Sequence, residues 1–433
     1  MNVIIDSVLC IHKSDEKTFH DAVKANTHVN PKYAQAIEQR RSTFKVEKTI
    51  NDYKVSGDIL VIPRGYSIEF DQDLRVTSTY DLYSFNAKLR DYQKQVMNEI
   101  GDKDQGVIVA PTGAGKTMLG MALIAKRKQR SLILVHTKEL MNQWKGQIQS
   151  TLGIEAGLVG GGKSDTDKPI TVAMFQTLGR SIDKINVDDY GLVLIDECHH
   201  CPANTFAQVV DKLPAKYRYG LSATPERRDG LEGMLYNRIG PILSEISTNE
   251  VEAAGGIIPA NITIFHTGFS PIITKGWSDY ITCVIESEYR NKLIASIGKQ
   301  AATEMPTLIL TDRVEHAKVL HQITGGVLLH GQLNKSDRDM AMTAANTSSL
   351  TIGTTGLLGE GVDVSGWQAL ILATPLSSRS RLLQAIGRVI RSKEGKKKGF
   401  IADFVDNHPL SRSSYRKRHA VYLERSYTVS ERR

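Results

Sequence analysis

A chain of 433 residues, 41% of them hydrophobic, has enough apolar mass for more than one core, and at roughly 100 to 200 residues per domain it should divide into two or three units. Lysine and arginine number 55 against 47 acidic residues, and the formal charge of +8 suits a polyanionic partner without naming one. No apolar run reaches the roughly 18 residues of a membrane span, MNVIIDSVLC lacks the features of a secretory signal, and Cys10, Cys198, Cys201 and Cys283 are too uneven for a disulfide framework. A soluble, cytoplasmic protein with reduced thiols and no membrane partner is expected.

Residues 1–85 mix a helical stretch near 31–41 with strand-like DILVIP (58–63) and a Pro-Arg-Gly turn at 63–65, predicting a small α+β domain. From 86 to about 250, the apolar runs VIVA (107–110), SLILV (131–135), ITVA (170–173) and LVLI (192–195) alternate with helical patterns, which predicts βαβ units and a parallel sheet. A second series over 251–433, TLILT (307–311), GVLLH (326–330), LTIGTT (350–355), ALILAT (369–374) and GFIADFV (399–405), predicts a second α/β lobe followed by a basic tail. The stretch 231–300 reads as irregular, with AAGG at 253–256 as a turn or hinge.

APTGAGKT (110–117) follows a strand and opens a helix, in the order a phosphate cradle requires, although Ala110 stands where the strict pattern has Gly. Gly113 and Gly115 let the backbone curl around phosphates, Lys116 reaches the β- and γ-oxygens of ATP, and the Thr117 hydroxyl ligates Mg²⁺. Asp196 and Glu197 end the apolar strand LVLI, where buried acids are costly unless they meet a cation or an activated water. Asp196 is therefore the candidate Mg²⁺ ligand, usually through water, and Glu197 the candidate general base. Cys198-His199-His200-Cys201 lacks a second paired half for zinc and reads better as the tail of the carboxylate motif. Arg388 and Arg391 in QAIGRVIR (384–391) carry two cations near one face of a helix-like segment.

Taken in order, APTGAGKT, DECH (196–199), SAT (222–224), TTGLLGEGVD (354–363) and QAIGRVIR resemble the superfamily 2 helicases over residues 86–405. The resemblance implies two tandem RecA-like P-loop lobes with parallel sheets beside the small N-terminal α+β domain, with ATP hydrolysed in the cleft between the lobes. It makes Arg388 and Arg391 arginine fingers, brings Gln384 to the γ-phosphate, places Gly361 and Asp363 near the nucleotide, and gives Ser222 and Thr224 the coupling of ATP state to the nucleic-acid path. LRDYQ (89–93) resembles the adenine-reading element, with Gln93 on the base edge and Arg90 as helper. HTKEL (136–140), FQTLGR (175–180), HGQ (330–332) and the Thr354-Thr355 pair imply phosphate contacts by Lys138, Thr177, Arg180, His330, Thr354 and Thr355. Such contacts grip a backbone without reading bases.

LSATPERRDG and HTKELMNQW look closer to DNA translocases of the XPB, RecG and phage UvsW-like groups than to DEAD-box RNA helicases, and NPKYAQAIEQRRSTFKVEKTI with VIPRGY resembles the N-terminal DNA-engaging module of XPB-like and phage members. The chain length points to a phage or compact bacterial version. The expected activity is remodelling of branched or forked DNA (fork regression, Holliday-junction branch migration) alongside repair or recombination proteins. Lys396, Lys397, Lys398, Arg412, Arg416, Lys417 and Arg418 form a basic tail that can contact DNA or simply be solvated. The alternatives are a duplex-DNA translocase subunit of a restriction or repair complex, an RNA helicase, and a non-motor nucleotide switch, the last disfavoured by Glu197 together with two arginines.

Overall fold

The computed structural model describes residues 3–38, 42–44, 46–200, 203–223, 232–272, 276–358, 366–392 and 395–432. The chain forms two compact units, one of Met1–Pro111 with Gly115–Ser247 and one of Thr112–Ala114 with Thr248–Arg433. Two tandem α/β lobes of RecA-like design, with a small α+β module at the N-terminus, make up the fold.

In the first unit, the β-branched runs assemble an eight-stranded sheet in the order Lys163–Ser164, Gly157–Gly160, Ile170–Met174, Ser131–Val135, Leu192–Ile195, Tyr217–Ser222, Gln105–Val109, Ile242–Glu245. Apart from the antiparallel Lys163–Ser164, every pairing is parallel. The strand that leads into the phosphate loop thus lies two places from the one that ends in Asp196, and all their C-terminal ends open on one edge, where open α/β sheets bind ligands. Val107, Val109, Leu132, Leu134, Val193 and Ile195 face one side of the sheet and pack against Leu178, Phe206 and Leu235.

Tyr217–Ser222 is absent from the predicted strands because Arg218 interrupts its apolar pattern, yet Arg218 is fully buried. Its guanidinium donates to the carbonyls of Arg238, Leu213, Val210 and Ser7, at 2.8, 2.7, 3.1 and 3.3 Å. A buried cation survives there because backbone oxygens replace its water shell.

The N-terminal module is a five-stranded sheet in the order Lys54–Ser56, Ile59–Pro63, Val8–His12, Val3–Ile5, Gln72–Asp73, with the helix Glu16–Ala25 on a core of Val3, Ile5, Leu9, Ile11, Leu60 and Ile62. The helix Pro31–Glu38 and the strand Ile59–Pro63 fall in the stretches read as helical and extended. Buried Arg64 joins this module to the first lobe's sheet, donating to Gln105 Oε1 (3.0 Å) and to the carbonyl of Lys216 (3.1 Å). Asp52 does the same from the other side, accepting two bonds from Arg238 at 2.7 and 2.6 Å.

The second unit holds a seven-stranded, wholly parallel sheet in the order Val327–Leu329, Leu350–Thr354, Thr307–Thr311, Ala369–Leu372, Gly399–Val405, Ala260–His266, Thr428–Arg432. The stretch read as irregular contains the strand Ala260–His266 and the helices Trp277–Glu286 and Glu288–Glu304. ANITIFH was hard to read because it alternates polar and apolar residues one place from the sheet edge. The C-terminal stretch also differs from a solvated tail. It forms the helix Pro409–Glu424 and the edge strand Thr428–Arg432, and Arg418 is buried with its guanidinium on Asp403 at 2.8 and 2.9 Å. No helix among the described residues is long and apolar enough to cross a membrane.

Candidate nucleotide site

The phosphate loop is shaped by two glycines in left-handed backbone, Gly113 at φ 91° and Gly115 at φ 75°. Gly115 caps the helix Lys116–Arg127 without a side-chain hydrogen bond, so the first-turn amides of a twelve-residue helix face the loop. Ala110 tolerates its departure from Gly because it is a fully buried residue whose N–H continues the sheet to the Ser222 carbonyl at 2.8 Å. Gln93 packs against the loop: a Cβ on Gly115 would lie 2.6 Å from its Nε2. Its Oε1 accepts the Arg90 backbone N–H at 2.9 Å, which closes the first turn of the helix Asp91–Ile100, and the Arg90 guanidinium donates to Tyr92 Oη at 3.1 Å.

Lys116 and Thr117 are the first two residues of the loop's helix. Lys116 Nζ lies 3.2 Å from Glu197 Oε1 and donates to the Ala110 carbonyl at 3.3 Å, so cation, loop and carboxylate share one pocket. Glu197 holds φ 46°, a costly conformation for a residue with a side chain, and His136 steadies it by donating Nε2–H to the Glu197 carbonyl at 3.2 Å. The His136 ring in turn stacks on Phe175.

Asp196 is almost wholly buried. Burial, then the neighbouring Glu197 charge, pushes its carboxyl up to about 6. Two donors hold the group: the Trp144 indole N–H to Oδ2 at 2.8 Å and the Glu197 backbone N–H to Oδ1 at 3.0 Å. His199 Nδ1 lies 2.9 Å from Ser222 Oγ and 3.5 Å from Glu197 Oε2, which links the carboxylate motif to the serine of the next motif. Trp144 and His136 lie inside HTKELMNQW, but the sequence gives neither a role of its own. Trp144 recurs with Met141, Ile148 and Leu152 at core spacing, and only its indole N–H distinguishes it from a packing residue.

These residues fit a magnesium nucleotide: positive-φ glycines and uncapped helix amides for phosphate, Lys116 for its charge, and Thr117 and buried Asp196 as hard oxygen donors for the cation. On the same strand edge, Lys138 opens the helix Lys138–Leu152 and is exposed, while Thr177 and exposed Arg180 lie on the helix Phe175–Ser181. Thr224 lies outside the described residues, as do Gly361 and Asp363.

In the second unit, His330, Thr354 and Thr355 follow or end neighbouring strands at one edge and are buried. The Thr355 hydroxyl donates to Asp312 at 2.5 Å, and Arg381, on the helix Arg379–Val389, stands 3.7 Å from the same carboxylate. Gln384 and Arg388 share a face of that helix at i, i+4 and are half-buried. Arg391 does not share it, because the helix ends at Val389. The Ile390 carbonyl then takes the Ile258 N–H at 2.8 Å and Arg391 bridges Ile257.

Two family models match consecutive stretches: the type III restriction enzyme res subunit over 86–227 and the helicase conserved C-terminal domain over 288–393. The "Probable helicase D10" of Escherichia phage T5 is 25% identical over 422 residues, covering 94% of this chain and 90% of that protein. The "DNA 3'-5' translocase XPB2" of Sulfurisphaera tokodaii is 24% identical over 375 residues, covering 76% and 84%. Among solved structures, Saccharomyces cerevisiae Dbp5 bound to RNA and ADP BeF3 aligns with a TM-score of 0.58 at 16% identity, covering 79% of this chain and 90% of that one, a likeness of fold alone. With the motifs in family order on two RecA-like lobes, two family models over consecutive stretches, and a relative named a helicase that covers 94% of its length, the chain belongs to the superfamily 2 helicases and is related to the phage D10 and XPB proteins.

Proposed function

We propose that this helicase is an ATP-driven DNA motor that remodels branched or forked DNA. The observation that carries the ATPase part is the continuous chain Lys116, Glu197, His199, Ser222, with successive separations of 3.2, 3.5 and 2.9 Å. A group that senses the phosphate site therefore reaches, in three contacts, the serine expected to communicate with the nucleic-acid path. DNA as the track is supported by the XPB-type relative, named a DNA translocase, and by the exposed cations Lys138 and Arg180 at the strand edge.

When bound, Mg²⁺ neutralises phosphate charge and fixes the γ-phosphoryl group for in-line attack. The chain's own contribution is positional. Gly113 and Gly115 admit the phosphates, Lys116 holds their charge, Glu197 accepts a proton from water at its carboxylate, and His199 fixes that carboxylate relative to Ser222. Gln384, Arg388 and Arg391 are assigned to stabilising charge on the γ-phosphate during turnover.

Branch remodelling is favoured over simple unwinding by the N-terminal module, which resembles DNA-engaging modules and is clamped to the first lobe by Arg64 and by the Asp52–Arg238 pair. The test is steady-state ATPase activity with no cofactor, RNA, single-stranded DNA, linear duplex, forks and four-way junctions at one stated salt concentration. Branch-selective stimulation is expected. Stimulation by RNA alone would move the track from DNA to RNA, and equal stimulation by linear duplex would favour a plain translocase.

A further inference from the structure

Trp144 is fully buried, and its indole N–H is aimed at the carboxylate assigned to the metal ion. Its position is set from two sides. Gly120, on the helix that follows the phosphate loop, leaves room for the ring, since a Cβ there would come within 2.6 Å of Trp144 Cη2 and 2.7 Å of Leu194 Cδ2. Trp144 itself sits on the helix Lys138–Leu152, six residues or about 9 Å along the axis from Lys138. One ring therefore touches the helix of the phosphate loop, the strand of the carboxylate motif and the helix that begins with a candidate nucleic-acid contact.

We propose that Trp144 is a positioning residue that fixes Asp196 for the metal ion and ties this carboxylate to the helix beginning at Lys138. The chemistry suits the task. Trp144 holds Oδ2 and the Glu197 N–H holds Oδ1, so the carboxylate cannot rotate and its remaining lone pairs keep one direction. Indole is donor-only and uncharged, so it orients the group without competing with a cation, which lysine or arginine would do. The inference rests on the ATPase reading above and adds to it a route from Lys138 to the metal.

The test compares Trp144→Phe, which keeps a buried ring but loses the donor, with the wild-type chain. ADP binding is measured by calorimetry in EDTA and across a Mg²⁺ titration, together with the ratio of DNA-stimulated to basal ATPase. Outer-shell partners of this kind are worth about 10- to 100-fold in metal affinity. The expected result is an unchanged EDTA affinity, a Mg²⁺ requirement raised about 10-fold and a lower stimulation ratio. A tryptophan that only packs would lower the melting temperature and leave both metal dependence and stimulation ratio unchanged.

In case Trp144→Phe does not fold, the wild-type chain is labelled with 5-fluorotryptophan, its three resonances (144, 277 and 367) assigned with Trp277→Phe and Trp367→Phe. Paramagnetic Mn·ADP should broaden the Trp144 signal. An unbroadened Trp144 signal with Mn·ADP bound, or identical Mg²⁺ titrations for wild type and Trp144→Phe, would overturn the positioning role while leaving the ATPase reading intact. Absence of any nucleotide binding by the wild type would remove that reading, and this inference with it.

Discussion

Glu197 shows how much a single residue is asked to do at this site. It holds a strained φ of 46°, shares its carboxylate with Lys116 and His199, and stands next to a buried aspartate. Glu197→Gln keeps the shape and removes the proposed base. ATP turnover should fall by about 10²- to 10⁴-fold with nucleotide affinity retained, a split read from steady-state kinetics beside equilibrium binding. His316 tests the second unit independently. It is fully buried and neutral, accepting the Thr311 hydroxyl at Nδ1 (2.7 Å) and donating from Nε2 to Asn291 Oδ1 (2.9 Å), and burial, then the Arg290 charge, drops its pKa to about 3. In the unfolded chain a histidine binds its proton near pH 6.5. The lowered folded value means that stability is full above about 6.5 and is lost as the pH falls towards about 3, by about 1.4 kcal/mol per pH unit. In chemical denaturation at pH 7, 6, 5 and 4, the stability advantage of wild type over His316→Gln should therefore shrink with acidification.

At the scale of elements, the helix Glu232–Ile239 carries the attachment of the N-terminal module. Arg238 reaches Asp52 in that module and Asp211 in the first lobe, with Asp52 nearly inaccessible, and Asn237 adds a bond to Asn26 at 2.9 Å. Removing one partner of such a buried pair strands a charge and costs about 3–5 kcal/mol. Arg238→Met should lower the first unit's stability by that order and expose residues 1–85 to limited proteolysis. A partial recovery in the double variant Arg238→Met with Asp52→Asn would locate the cost in the stranded carboxylate rather than in lost packing. Sequence periodicity identified the strand before Arg64 but neither Tyr217–Ser222 nor the attachment itself, since Arg64, Arg218 and Arg238 look like solvated cations until the fold surrounds them with carbonyls and carboxylates.

Across the whole molecule, the charge of +8 makes binding to a polyanion salt-dependent whatever its sequence. If Lys138 contacts a phosphate, Lys138→Ala should reduce the slope of log affinity against log salt by about 0.9 on duplex DNA, nearly equally for different sequences. An unchanged slope would place Lys138 off the track.

What the sequence determined by itself were the features written locally. Apolar runs such as SLILV, LVLI and ALILAT gave strands of both sheets, because strands buried on both faces are mostly apolar. The spacing of Gly113, Gly115, Lys116 and Thr117 gave the strand–loop–helix turn proposed as the phosphate cradle, because its geometry lies within one loop and one helix turn. Only the tertiary structure decided the rest: that ANITIFH is a strand beside the sheet edge, that Arg418 is a core ion pair, that Arg391 leaves the helix of Arg388, and that Trp144 points its N–H at Asp196. Each of these depends on a partner far away in the chain, and a polar group's role is fixed by which partner replaces its water, which no local pattern encodes.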